Sequence, residues 1–274
     1  MTRDLRPLFF PQSVAVVGAS SRSTSLPGAV LRNLVAGRYP GALQVVHPKE
    51  SSVHGVRAVA SLEALDPAPE LAVIGIAPDK AEAALLHLLG RGTRAFVLLT
   101  AGFGETGPEG RARELALAAR CRERGAVLMG SNCMGLHCVT EEFRFDASFS
   151  RVIPAPGRIA LLSQSGSIGE WLFLRMAERR IGVAFYASAG NMADLTLPDL
   201  LEGVADLLPG VQQVLLYFET IPPAARLREA AARLGEATVL RPARGAGGSA
   251  PAAFALGGAR VALVSELNPQ LFDR

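Results

Sequence analysis

Three hydroxyls and a glycine fall within five residues at Ser163-Gln164-Ser165-Gly166-Ser167. The apolar run 159–162 precedes them, and Ile168, Trp171, Leu172 and Met176 follow on one helical face. This reads as a buried strand, a tight turn and a helix start. Unpaired N–H groups of a first helical turn, with hydroxyls beside them, suit a small anion such as phosphate. Capping alone explains a serine at a helix start equally well. Gly166 would let an anion approach the backbone closely.

A second group lies near the N-terminus. In "VGASSRSTSLPG" (17–28), Gly18 permits close approach to the backbone, and Ser20, Ser21, Ser23 and Ser25 offer hydroxyls. Arg22 is a bidentate donor for a phosphate, and Pro27-Gly28 marks a helix start. The spaced G-x-G-x-x-G of dinucleotide enzymes is absent. His47-Pro48-Lys49 stands where a ribose-binding acid would be expected, and a lysine suits a phosphate better than a diol. Glu219 closes the run "VLLYFE".

These residues share one position in the chain's plan: each follows an apolar run. The runs "SVAVVGAS", "ALQVVHP", "ELAVIGIAP", "RAFVLLTAG" and "AVLMGSN" alternate with helical stretches, and the pattern restarts with "GRIALLS", "GVAFYAS", "VQQVLLYFE" and "ATVLRPA". Buried strands alternating with helices predict parallel sheets, here two doubly wound α/β domains. Pro154 and Pro156 place the boundary near 150, giving domains 1–150 and 151–274. In open parallel sheets, ligands bind beyond the carboxyl ends of the strands. That logic adds Ile76-Ala77-Pro78, Ala101-Gly102, Ser131-Asn132 and Ala189-Gly190-Asn191 to the candidates.

The 274 residues, 49% of them hydrophobic, suffice for two cores. A net charge of +3 from scattered arginines argues against a nucleic-acid partner and fits an acidic metabolite. Cys121, Cys133 and Cys138 lack metal-ligand or disulfide spacing, and no signal peptide or membrane span is visible, so a cytoplasmic protein is expected. Cys133 reads as a packing residue rather than a thiolate or metal ligand.

Several motifs in order give the chain a resemblance to a family. "SVAVVGASSRSTSLPG", "LLTAGFGETG", "GSNCMG" (with Ser131 in place of a proline), "GRIALLSQSGSIGEWL" and "SAGNMADLTLPDLLE" resemble segments of the NDP-forming acyl-CoA synthetases, the superfamily of the succinyl-CoA synthetase α subunit. The resemblance implies a Rossmann-like CoA-binding domain followed by a flavodoxin-like domain, with coenzyme A as cofactor. It implies that Gly18, Ser20, Arg22 and Lys49 face the nucleotide and its phosphates. Ile76, Ala77 and Pro78 would line the adenine and pantetheine path, and Asn132 would lie toward the thiol. Ser163, Ser165, Gly166 and Ser167 would cradle the phosphate of a phosphohistidine, and Glu219 would orient that histidine. An ATP-grasp β-type partner would supply nucleotide and Mg, and an oligomer is expected.

One element of that chemistry is missing. The four histidines, His47, His54, His87 and His137, all precede the second domain, and the family histidine aligns near Ala255. Alanine cannot carry a phosphoryl group. His137 is off the implied phosphoryl path and reads as structural. Three readings stay open: a ligase component whose histidine comes from elsewhere or is dispensed with, a degenerate CoA-binding regulator, or a loop retuned for another acid. An NAD(P)-dependent oxidoreductase is the alternative from a different class, weakened by the absent glycine fingerprint and ribose acid.

Overall fold

The computed structural model describes residues 3–153, 155–220 and 222–234, and the backbone of two further strands, Thr238–Val239 and Arg260–Val264. A short helix, α1 (Arg6–Phe9), precedes the first sheet. That sheet holds β1 (Ser13–Val17), β2 (Ala42–Val46), β3 (Ser52–Val53), β4 (Val56–Val59), β5 (Leu71–Ile74), β6 (Ala95–Leu98) and β7 (Val127–Gly130) in the order β3-β4-β2-β1-β5-β6-β7. All its ladders are parallel except the β3–β4 pair. Helices α2 (Leu26–Ala36), α3 (Pro78–Gly90) and α4 (Pro108–Glu123) follow β1, β5 and β6. Each carries a proline in its first turn, where the missing N–H costs no hydrogen bond. Residues of β5, β6 and β7 are buried throughout, as strands covered on both faces must be.

The second sheet is built from β8 (Gly135–Val139), β9 (Arg144–Ser148), β10 (Ile159–Ser163), β11 (Val183–Ser188), β12 (Gln213–Tyr217), β13 (Thr238–Val239) and β14 (Arg260–Val264). Its order is β13-β14-β12-β10-β11-β8-β9. Its helices are α5 (Gly166–Glu178), α6 (Leu197–Leu207) and α7 (Ala224–Ala232). β10 to β14 pair in parallel, but β8 runs antiparallel to β11 and to β9. The sequence pattern differs here in two ways. The second sheet is mixed rather than parallel, and residues 135–148, read with the first half, join the second sheet. The prolines at 154 and 156 lie between the hairpin and β10, so they mark a connection within the second sheet's own chain. The change of sheet occurs between Gly130 and Gly135, where nothing in composition shifts.

One apolar core runs between the two halves. Phe9 stacks on Phe185 with ring centroids 4.2 Å apart, and Gly203 of α6 lies against the Phe9 ring. Polar ties flank this core. Asn33 Nδ2 of α2 donates to the carbonyls of Ser148 and Ser150, both at 2.9 Å. The buried Asp194 accepts from Arg3 at 2.6 Å, from Arg122 at 2.8 Å and from the Leu128 N–H at 2.9 Å. The carboxyl ends of the two sheets therefore stand in fixed relation to one another, and the site lies between them.

Candidate functional site

A cleft of about 1620 Å³ separates the two sets of strand ends. It exceeds the usual small-molecule pocket of ~300–1,000 Å³ and has room for an elongated cofactor. Gly18, Ser20, Arg22, Ile76 and Asn132 line it from the first half. Ser165, Gly166, Ser167 and Glu219 line it from the second. Strand-end residues far apart in sequence thus share one space.

The first-half wall is built around Gly18. Its φ of +94° belongs to the left-handed region, and a Cβ there would collide with Ile76 Cγ2 and the Gly75 carbonyl. Gly28 lies as tightly against the Ser20 carbonyl. Ser25 caps α2, its hydroxyl accepting from the Gly28 N–H at 3.0 Å. Leu26, Ala29 and Arg32 continue the wall along α2. Arg22 is exposed on it. Arg32 and Arg151 also line the cleft and form no ion pair among the described residues, and Glu170 and Glu219 line it as well, so the space carries charge of both signs.

Lys49, Ala77, Pro78 and Ser163 do not line the cleft. After β2 the chain turns, with His47 Nδ1 accepting from the N–H groups of Lys49 at 3.3 Å and Glu50 at 2.8 Å. The turn leaves Lys49 exposed and outside the cleft lining, and brings Glu50 onto Ser21. The Ser21 hydroxyl, then the Ser21 N–H, hold the Glu50 carboxyl below its usual range. So an acid does follow β2, contrary to the sequence reading, and it braces the Gly18 turn. Ala77 and Pro78 form the cap and first residue of α3, where the Pro78 ring backs Gly102. The buried Ser163 donates its hydroxyl to the Ser165 carbonyl at 2.6 Å and holds the turn from beneath.

The second-half wall is the start of α5. Ser165 is its N-cap, with the Ile168 N–H at 3.5 Å from Oγ. The N–H groups of Gly166 and Ser167 belong to the first turn, where no intrahelical carbonyl reaches them. A Cβ on Gly166 would sit 3.6 Å from Ser188 Oγ, a buried hydroxyl with no hydrogen-bond partner among the described residues. Gln164 Oε1 accepts from the N–H groups of Glu219 and Thr220, each at 3.0 Å, and ties the ends of β10 and β12 together. The Glu219 carboxylate is left exposed at the rim. Partial burial, then the nearby Glu219 charge, raises the Tyr217 phenol.

Where the halves meet, the strand-end candidates Ser131, Asn132 and Asn191 form a polar knot with Glu105, Arg111 and Glu114, which sequence reasoning missed. Asn191 Nδ2 lies 2.6 Å from Glu105 Oε2, 2.9 Å from Glu114 Oε1 and 3.2 Å from Ser131 Oγ. Glu114 is fully buried, and Arg111 donates to its other oxygen at 2.8 Å. Asn132, at φ +52°, places its amide 3.5 Å from Asn191 Oδ1. Glu105, Arg111, Asn132 and Asn191 all line the cleft. The acids lay in view in "GFGETG" and "GRARELAL", but neither ends a strand.

The remaining candidates are structural. Burial pushes the Cys133 thiol up to about 12, so it is no thiolate at neutral pH. The fully buried His137 has its Nδ1 3.8 Å from Asp146 Oδ2, meets Phe173 edge-on and does not line the cleft. The position of the family histidine, near Ala255, lies outside the described residues. Among the described residues no helix is long and apolar enough to cross a membrane, and no cluster of side chains could hold a metal ion.

Comparison with known proteins decides the lineage. Residues 12–138 match the CoA binding domain family, and residues 156–259 match the succinyl-CoA ligase like flavodoxin domain. The chain carries the CoA-binding and succinyl-CoA-ligase-like domains, in the order in which the NDP-forming acyl-CoA synthetases have them. Among similar proteins is the alpha subunit of an ADP-forming acetate–CoA ligase II of Pyrococcus furiosus, 32% identical over 226 residues, covering 82% of this chain and 48% of that one. A crystallised protein of Pyrococcus horikoshii shares 30% identity at a TM-score of 0.79, covering 87% of this chain and 54% of that one. A dinucleotide-forming acetyl-coenzyme A synthetase of Candidatus Korarchaeum cryptofilum, solved with phosphate and ADP, superposes at 0.79 with 28% identity, covering 87% of this chain and 51% of that one. The chain thus spans about half the length of these proteins.

Proposed function

We propose that this chain is the CoA- and acyl-CoA-binding component of an NDP-forming acyl-CoA synthetase, working with an ATP-grasp partner that supplies nucleotide and Mg. The observation that carries the reading is the single cleft. A glycine turn with Arg22 forms one wall, and an open helix start at 165–167 forms the other. The CoA phosphates lie along the wall formed by the Gly18 turn and α2, near Arg22 and Arg32, and the thiol end points toward Asn132. The start of α5 holds phosphate, and Glu219 stands at its rim. Gly18 supports this fit, because its positive φ makes the tight turn at the strand end where a pyrophosphate would lie, a backbone conformation that favours glycine.

A second reading is favoured by one observation: the sequence has no histidine after His137. A synthetase component without that imidazole would bind CoA and regulate a partner rather than pass on a phosphoryl group.

Titration calorimetry with CoA, acetyl-CoA, NAD and NADP tests the binding reading. CoA compounds should bind and the dinucleotides should not. Arg22→Ala should weaken CoA by about 1–2 kcal/mol, the value of a charge-assisted hydrogen bond to phosphate. Tighter binding of NAD would refute it. Incubation of the chain and an ATP-grasp partner with carboxylic acid, CoA and ATP separates the two readings, since only a working synthetase forms acyl-CoA and ADP.

A further inference from the structure

We infer that Glu105 sets the acyl selectivity of the cleft, admitting CoA thioesters of acids without a second carboxylate and repelling those of dicarboxylic acids. The inference rests on the proposed placement of the CoA thiol end near Asn132. Glu105 is held beside that end from two directions. Its Oε1 accepts from the Gly102 N–H, and its Oε2 lies 2.6 Å from Asn191 Nδ2. Asn191 also contacts Asn132, so the pinned carboxylate and the thiol-end residue share one neighbour.

Charge on this part of the wall is net negative. Glu105 and Glu114 carry two negative charges, and Arg111 is the one cation among them. Arg111 is committed to Glu114 at 2.8 Å and to the Asn191 carbonyl at 3.2 Å. The cleft's other guanidiniums belong to the Gly18 turn (Arg22), to α2 (Arg32) and to the segment after β9 (Arg151), whose backbone N–H is held by Glu170. The side chain joined to Glu105 here is the neutral amide of Asn191, with the amide of Asn132 beyond it. An acyl chain ending in methyl or hydroxyl meets no charge conflict. A distal carboxylate meets a fixed like charge, while Arg111 already donates its Nη1 to Glu114 and to the Asn191 carbonyl, and such juxtaposition discriminates by repulsion. The fixed geometry matters, because a mobile glutamate would swing away.

The test compares two thioesters of equal chain length, butyryl-CoA and succinyl-CoA, by titration calorimetry. In the unaltered chain at low salt, butyryl-CoA should bind about tenfold more tightly or better, as expected for one partly screened like-charge contact. In Glu105→Gln the ratio should fall to about threefold or less, through a gain for succinyl-CoA. Raising the salt should narrow the ratio in the unaltered chain, a readout that needs no variant. Equal affinities in the unaltered chain would overturn the inference. So would a ratio that survives in Glu105→Gln, or tighter binding of succinyl-CoA, which would assign Arg111 to the distal carboxylate. If no CoA compound binds at all, the proposed function falls first. If CoA binds without discrimination, only Glu105's role falls.

Discussion

Asn191, from the second half of the chain, presents its side-chain amide at 2.9 Å to Glu114, a fully buried carboxylate of the first half. A buried charge is tolerated only when it is paired and hydrogen-bonded. Glu114 meets that condition through Arg111 on its own helix, Ser131 beyond β7 and Asn191 from across the junction. The knot therefore joins the two halves at the wall of the cleft.

Asn191→Ala should therefore destabilise the fold by about 1–3 kcal/mol, the cost of leaving a buried acceptor short of a donor. Equilibrium urea unfolding measures it. A change below a few tenths of a kcal/mol would mean that Glu114 is satisfied without its partner across the junction.

Glu105 should make stability fall toward acid pH. Burial works against its ionisation, but the Gly102 N–H and the Asn191 amide outweigh it and hold the carboxyl below its usual range. A depressed folded-state pKa contributes stability above the unfolded value of about 4.3 and loses it as pH falls through the folded pKa. The side chain is largely exposed, so the contribution is small. Unfolding of the unaltered chain and Glu105→Gln at pH 7 and pH 3 is the measurement. The gap between them should shrink at the lower pH, and a gap that widens would reverse the sign.

What a rule of position governs was legible in the sequence. Gly18, Ser20, Arg22, Ile76, Asn132, Ser165, Gly166, Ser167 and Glu219 share a cleft because each follows a strand, and parallel sheets collect such residues at one end. What depends on a partner far along the chain was not. The contacts of Asn191 with Glu105 and Glu114 span 86 and 77 residues, and no local spacing reports them. Lys49 lies outside the cleft lining for a local reason: the His47 imidazole accepts from the next amides and turns the chain so that Glu50 meets the Gly18 turn. The β8–β9 hairpin joined the second sheet because β11 offered an edge, a fact that resides in β11 and not in the hairpin's own residues.

The cysteines should be inert in the native state. Cys121, Cys133 and Cys138 are all buried, and burial pushes each thiol up to about 12. The thiolate is the reactive form, so a disulfide reagent at pH 8 should find no fast thiol until denaturant is added, when all three should react. A fast-reacting thiol in native protein would show that one of these sites opens readily.

The start of α5 should take up a phosphate-sized anion, and Ser188 supplies the means to check that the site is built for it. A buried hydroxyl without a partner costs stability, so in protein free of anion Ser188→Ala should be neutral or stabilising in urea unfolding. If the hydroxyl meets an anion over Gly166, the same substitution should weaken phosphate binding by about 0.5–1.5 kcal/mol, the net worth of one hydrogen bond. Glu219 at the rim opposes the anion, so affinity should be weak and should rise in Glu219→Gln. Calorimetry with inorganic phosphate on the three proteins gives the order Glu219→Gln tightest, then the unaltered chain, then Ser188→Ala. Phosphate binding that is indifferent to Ser188 would leave the first-turn amides as its only ligands, and no phosphate binding at all would make Ser165 a helix cap and nothing more.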